Sequence, residues 1–274
     1  MNNNVLVITG MHRSGTSLLT HWLNKCGLHV GDQLLPPGIG NVDGHYEDLD
    51  FYTYHEKVLL EHGLSADGLV PAHPGPLTGH QRTTLKALVS RKSSAQSQWG
   101  WKDPRTCLFL PFYREILPEA RYLAIVRDYK TVVSSLVQRM FQLHDWKYEQ
   151  CDIFTRVIWR YFRKPFRKEQ LLRKYCNEHL AVWITYNEAI LKHIEQLPDS
   201  NYIVVDHPKL KNSSQEIYKH LSDEWQFDLE YYDFKQLYNE NRISDKLNIV
   251  DYIQDPKLLE RAAEIHCRLQ AKAI

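Results

Sequence analysis

Short unbroken apolar runs alternate along this chain with stretches in which apolar residues recur every three or four positions. Val5-Leu6-Val7-Ile8-Thr9, the run Arg121 through Arg127, and Tyr202-Ile203-Val204-Val205-Asp206 are short, rich in β-branched residues and bounded by turn formers such as Gly10 and Pro208. Runs of that length without polar alternation predict strands buried on both faces. Trp99-Gly100-Trp101-Lys102, stopped by Asp103-Pro104, predicts a shorter fourth strand. Helical spacing starts near Ser17, where Leu18, Leu19, Trp22 and Leu23 share one side, and ends at Gly27. It returns over 48–61, 129–143, most of 152–195, 213–222 and 256–271. The stretches 31–44 and 63–80, dense in Gly and Pro, predict loops. Strands alternating with helices predict an α/β fold, with a mostly parallel central sheet covered by helices on both faces. Neither a repeat nor a linker divides the chain, so residues 1–274 read as one domain, with a helical cap over about 144–198.

Composition alters this picture in a few places. The 274 residues suffice for one sizeable core, and 43% hydrophobic with 24% charged residues is ordinary for a globular chain. A net charge of +1 gives no global field of the kind that marks nucleic-acid binders, so any anion site has to be built locally. The five cysteines (Cys26, Cys107, Cys151, Cys176, Cys267) are odd in number and scattered, without a CxxC pair or a Cys/His ligand spacing. That pattern predicts reduced thiols and no metal site. Asn2-Asn3-Asn4 leads straight into the first apolar run with no basic leader, and no stretch of about 18 apolar residues occurs. The expectation is a cytoplasmic protein without a membrane span.

The first candidate chemistry is Gly10-Met11-His12-Arg13-Ser14-Gly15-Thr16-Ser17, set between a predicted strand and a predicted helix. It has the frame of a P-loop, in which backbone N–H groups and a helix N-terminus converge on a phosphate, and makes the expected sheet P-loop-like. A nucleoside triphosphatase carries Lys directly after the second Gly; here that position is Thr16, and the strong cation in the loop is Arg13. No clear Walker-B strand, with an acidic metal ligand at the end of the central run, is seen, since the run 121–127 ends at Arg127 with Asp128 only afterwards. The loop therefore suits an anion laid out differently from a triphosphate. Arg127 closes its strand at the carboxyl end, where open α/β sheets bind ligands, and Ser135 follows eight positions on. A guanidinium and a hydroxyl at that spacing suit a phosphate monoester.

These two motifs together resemble the sulfotransferases that use 3′-phosphoadenosine 5′-phosphosulfate (PAPS), and Trp101-Lys102-Asp103-Pro104-Arg105 resembles a segment of their bacterial and carbohydrate-type members. The likeness is good over about 5–140 and looser beyond. It implies that His12, Arg13, Ser14, Gly15, Thr16 and Ser17 hold the 5′-phosphosulfate, and that Arg127 and Ser135 hold the 3′-phosphate. The family usually has Lys where this chain has Arg13, and the glycine-rich adenine segment of its aryl-specific members is not visible. Sulfuryl transfer needs positioning and charge stabilisation rather than a covalent intermediate, and no metal is expected. The acceptor hydroxyl needs a base. Glu47, in Gly44-His45-Tyr46-Glu47-Asp48, is the first choice by resemblance; His45 is the alternative, because an imidazole titrates near neutrality. Lys102 and Arg105 are candidates to meet the sulfuryl group or the acceptor.

Between Arg156 and Lys174 stand eight basic residues and one acid, Glu169, interleaved with Trp159, Tyr161, Phe162 and Phe166. Such a patch suits a saccharide or other anionic acceptor, or nucleic acid, or a helix with a solvated basic face. The expected acceptor is a small molecule or glycan hydroxyl. The rival readings are a P-loop nucleotide kinase, disfavoured by Thr16, and a non-catalytic phosphate- or nucleic-acid-binding module.

Overall fold

The structure is a computed structural model that describes residues 3–38, 44–238 and 247–274. Residues 39–43 of the predicted 31–44 loop lie outside the described residues. In chain order the elements begin with β1 (Asn4–Thr9), α1 (Thr16–Lys25), α2 (Leu49–Glu61), α3 (Gly79–Ala95) and β2 (Gln98–Lys102). There follow a 3₁₀ turn (Pro104–Leu108), α4 (Leu110–Ile116), β3 (Arg121–Val126), α5 (Tyr129–Glu149) and α6 (Ile153–Ile158). The rest are α7 (Lys164–Ile194), β4 (Tyr202–Asp206), α8 (Leu210–Lys219) and α9 (Pro256–Gln270). The four strands are all parallel, in the order β2-β1-β3-β4.

Period-two geometry sends alternate residues of each strand into two cores. Val5 and Val7 of β1, Trp99 and Trp101 of β2, and Tyr122 and Ala124 of β3 pack with Phe51, with Val132 of α5 and with Trp183 and Tyr186 of α7. Leu6, Ile8, Leu123, Ile125 and Val205 pack on the other face with Trp22 of α1 and Ile217 of α8. The first core contains a stack of aromatic rings, with Phe51 4.4 Å from Trp101 and Trp101 4.8 Å from Tyr113. These rings fix the carboxyl end of β2, and so Lys102, against α2.

Three features extend or differ from the sequence-based expectation. Helix α3 was not anticipated: the helix is polar along most of its length, so its apolar rhythm is faint, with Leu85, Leu88 and Val89 its buried apolar residues. Its start is nevertheless written in the sequence as a capping box, in which Thr78 and Gln81 satisfy each other's backbone N–H. The helical pattern expected over most of 152–195 is present, with one wider turn at Trp159–Arg163, where Lys164 N–H reaches back five residues to the Trp159 carbonyl. Pro165 follows at once and has no N–H to donate, which is where a helix widens or bends. The helix expected to end at 143 continues through Glu149.

The strand order places the functional loop. From β1 the chain passes outward to β2, then returns past β1 to β3 on the opposite side. The carboxyl ends of β1 and β3 therefore flank a switch point, where the outgoing connections diverge and leave a crevice.

Candidate functional site

Gly10 through Ser17 leaves β1 at that crevice and turns into α1. Arg13 takes a positive φ of 68° and Gly15 one of 95°, so the chain coils back on itself and Ser14 N–H bonds the Met11 carbonyl at 3.1 Å. Gly15 is the N-cap of α1 and supplies no side-chain cap, so the helix's first-turn N–H groups face the crevice without one. Only glycine fits at that position. A Cβ there would lie 2.3 Å from Cδ2 of His207, which follows β4. Ser14 Oγ is buried and meets no protein partner, which calls for an explanation.

Beside the loop stand three guanidiniums. Arg13 Nε donates to Ser135 Oγ at 2.9 Å, and Arg127 Nη1 donates to the Arg13 carbonyl at 3.0 Å. Burial, then the charges of Arg139 and Arg127, lower the Arg13 pKa from its usual range. Burial also lowers that of Arg127, opposed by Tyr238 and Asp128. Trp183 Nε1 holds the Arg127 carbonyl at 3.2 Å, so the end of β3 is anchored from α7. Like charges gathered in a crevice at a helix N-terminus form a site for a polyanion. Arg13 is placed with Ser135, on the side where Arg127 stands, although its charge also reaches His45. His207 completes the floor; burial, aided by Arg127, lowers its pKa to about 4, so it is neutral at pH 7.

The other half of the site is built on β2. Lys102 is fully buried, and its Nζ donates to Glu47 Oε1 at 2.8 Å, to Ser17 Oγ at 3.2 Å and to the His45 carbonyl at 2.5 Å. Three donors and three acceptors tie the start of α1 to the segment carrying Glu47. Burial raises the Glu47 pKa, opposed by the ion pair with Lys102 and reinforced by Asp103. The His45 imidazole is half-buried, and burial, then Lys102, Arg139 and Arg13, keep it below its ordinary pKa and hence neutral at pH 7. Arg105 behaves differently from Lys102. Its guanidinium makes a bidentate pair with Asp103 (Nη2 to Oδ2 2.7 Å, Nε to Oδ1 3.0 Å) and donates to the carbonyls of Ala66 and Tyr52. Asp103 in turn meets His55 Nδ1 at 3.0 Å, and His55 Nε2 meets Tyr113 Oη at 2.7 Å. That chain is nearly inaccessible to solvent, and Arg105 reaches the wall of the neighbouring cavity from it.

Glu47 and His45 open onto a cavity of about 300 Å³ together with His12, Leu35, Leu136 and His179. His12 leads from the loop into it; burial lowers its pKa to about 3, and its Nε2 meets no protein partner. Helix α5 serves both halves, since Ser135 meets Arg13 while Leu136, Arg139, Met140 and Leu143 line the cavity, with Ser135 and Arg139 one helical turn apart. No residue between 156 and 174 lines it. Several of those basic side chains have local acidic partners instead: Lys164 with Asp145, Arg160 with Glu149, Arg173 with Glu169 and Lys174 with Glu178. Among the described residues no cluster of three or more His, Cys, Asp or Glu is arranged to hold a metal ion, and no helix is long and apolar enough to cross a membrane.

The structure thus groups Arg13, Ser14, Gly15, Thr16, Ser17, Arg127 and Ser135 around the crevice, and His12, His45, Glu47 and Lys102 beside the cavity that opens from it. Arg139, His207 and His179 escaped the sequence reading. Arg139 carried a usable signal, one helical turn beyond Ser135; the other two depend on how β4 and α7 pass the loop.

Comparisons with known proteins bear on the family and the fold. The model of the sulfotransferase family matches residues 6–230. A sulfotransferase structure from Mycobacterium tuberculosis is similar at 15% identity and a TM-score of 0.52, with 96% of this chain and 77% of that one covered. Another, from Mycobacterium avium, is similar at 14% identity and a TM-score of 0.58, covering 96% and 76%. At such identities the likeness concerns the fold. No curated protein matches the chain.

Proposed function

This chain belongs to the sulfotransferase family, and from that premise we propose that it moves a sulfuryl group from PAPS to a hydroxyl of a small acceptor. The observation that carries the donor assignment is the convergence of the Gly10–Ser17 turn with Arg13, Arg127 and Ser135 at one switch point. Arg127 and Ser135 bind the 3′-phosphate. The N–H groups of Ser14 through Ser17 bind the 5′-phosphosulfate, and the buried Ser14 hydroxyl adds a further donor. Arg13 lies between the two groups and screens one from the other. Lys102, next to Ser17, neutralises charge that grows on the leaving phosphate as the bond to sulfur breaks.

The acceptor hydroxyl enters from the cavity. Glu47 takes its proton: burial raises the affinity of the carboxylate for a proton, and Lys102 keeps it ionised at the start of the reaction. His45 is neutral and one turn of chain away, the second choice for that role. A sulfur-labelled PAPS assay over a panel of alcohols tests the reading. Label should appear on an alcohol with the wild type and fall sharply with Glu47→Gln, while 3′-phosphoadenosine 5′-phosphate (PAP) still binds. Transfer undiminished in Glu47→Gln would remove Glu47 from the base role.

A further inference from the structure

The cavity has a second polar end that proton removal at Glu47 does not use. His179, midway along α7, lines it with 6% of its surface exposed. Neither its Nδ1 nor its Nε2 meets a protein partner. Its neighbours are the ring of Tyr175, stacked at 6.0 Å, and the charge of Asp67. Burial lowers its pKa to about 4, opposed by Asp67, so at neutral pH the ring is uncharged and offers one donor and one acceptor. A buried imidazole with both nitrogens unsatisfied lowers the stability of a fold and calls for an explanation in function.

The remaining wall states what kind of molecule would satisfy it. Leu35, Leu69, Leu136, Met140 and Leu143 are aliphatic. Among the described residues of the wall Tyr52 is the one Tyr, and the Arg105 guanidinium lies over a face of its ring at 4.1 Å, which closes that face to a sugar ring. Glu47 and Asp67 put carboxylates on the wall, and Arg105 is already neutralised by Asp103. Among the described residues of the wall Arg139 is the remaining cation, and it stands with the guanidiniums of the donor crevice. An anionic acceptor would be poorly received; an uncharged aliphatic one would bury its chain against the leucines.

We propose that His179 is the specificity-determining residue of the acceptor cavity, reading a second hydroxyl or amide on an uncharged, largely aliphatic acceptor whose first hydroxyl lies at Glu47. The inference rests on the sulfotransferase reading above. The test measures calorimetric binding of α,ω-alkanediols and matched 1-alkanols, four to ten carbons long, to protein saturated with PAP. Wild type should bind the diol about tenfold tighter than the alkanol at the chain length that spans the cavity, the size expected for one good hydrogen bond. His179→Leu should erase that difference while leaving alkanol and PAP affinity intact, and His179→Gln should keep part of it. Without ligand His179→Leu should melt no lower than wild type, because it removes an unsatisfied polar group. Equal binding of diol and alkanol at every length overturns the proposal, as does a preference that survives His179→Leu or a large loss of stability in that variant. Failure of wild type to bind PAP is a separate outcome, which sinks the transfer reading and this inference with it.

Discussion

Glu47 is held by one cation and opposed by its own burial, and the balance between them sets its chemistry. A base works only when ionised, so transfer should fall as pH drops through the Glu47 pKa, which burial places above the ordinary 4.5. Measured kcat against pH should show this acid limb in wild type, and Glu47→Gln should lack it while losing about 10²–10⁴ in kcat. On the donor side the residue-level signal was legible. Arg127 ends a buried run and Ser135 lies eight positions on, so strand end and helix face could both be inferred from spacing. His207 and His179 were not legible. Each matters because a distant element brings it to the loop or the cavity, and no local pattern encodes that approach. Arg105 was legible as a cation near the site, but not its bidentate pairing with Asp103, two residues away in sequence.

At the scale of elements, two junctions hold the site together. The first is the passage of the Gly15 turn against the residue after β4. Gly15→Ala should cost about 1 kcal/mol for its positive φ and about 1–3 kcal/mol more for crowding His207. It should appear as a lower Tm and a loss of PAP affinity. The second is Lys92 of α3, whose Nζ meets Asp48 at 2.7 Å, Asp50 at 2.8 Å and Asp32 at 2.9 Å. Asp48 caps α2 and adjoins Glu47, so this network fixes the segment that carries Glu47. Against burial, the three carboxylates hold the Lys92 pKa raised, and both Lys92 and Asp48 are nearly inaccessible. Lys92→Met leaves the Asp48 carboxylate buried without its cation and should cost about 3–5 kcal/mol in a denaturant titration. kcat should drop with it, while PAP affinity, which depends on the other half of the crevice, stays close to wild type. The strands were readable because buried parallel strands are continuous apolar runs. Helix α3 was not, because its buried apolar residues, Leu85, Leu88 and Val89, cover little more than one turn of an otherwise polar helix that a capping box and polar contacts of this kind also hold.

Over the whole molecule, the crevice and the cavity share α5, with Ser135 at the crevice and Leu136, Arg139, Met140 and Leu143 lining the cavity. The basic aromatic segment, which the sequence offered as a cap over the acceptor, lines neither the cavity nor the crevice. Replacing Arg160, Arg163 and Arg167 by Ser should therefore leave transfer rate and PAP affinity unchanged and shift stability by no more than about 0.5 kcal/mol per site. Loss of transfer in that triple variant would return the segment to the acceptor side. What the crevice between β1 and β3 binds is asked most directly by calorimetric titration with PAP beside ATP–Mg²⁺. PAP should bind, ATP–Mg²⁺ should not, and Arg127→Ala should weaken PAP about 10–150-fold, as for one charged hydrogen-bonding partner removed. Binding of ATP–Mg²⁺ with none of PAP would mean that the Gly10–Ser17 turn is a triphosphate site and that the donor assignment is wrong.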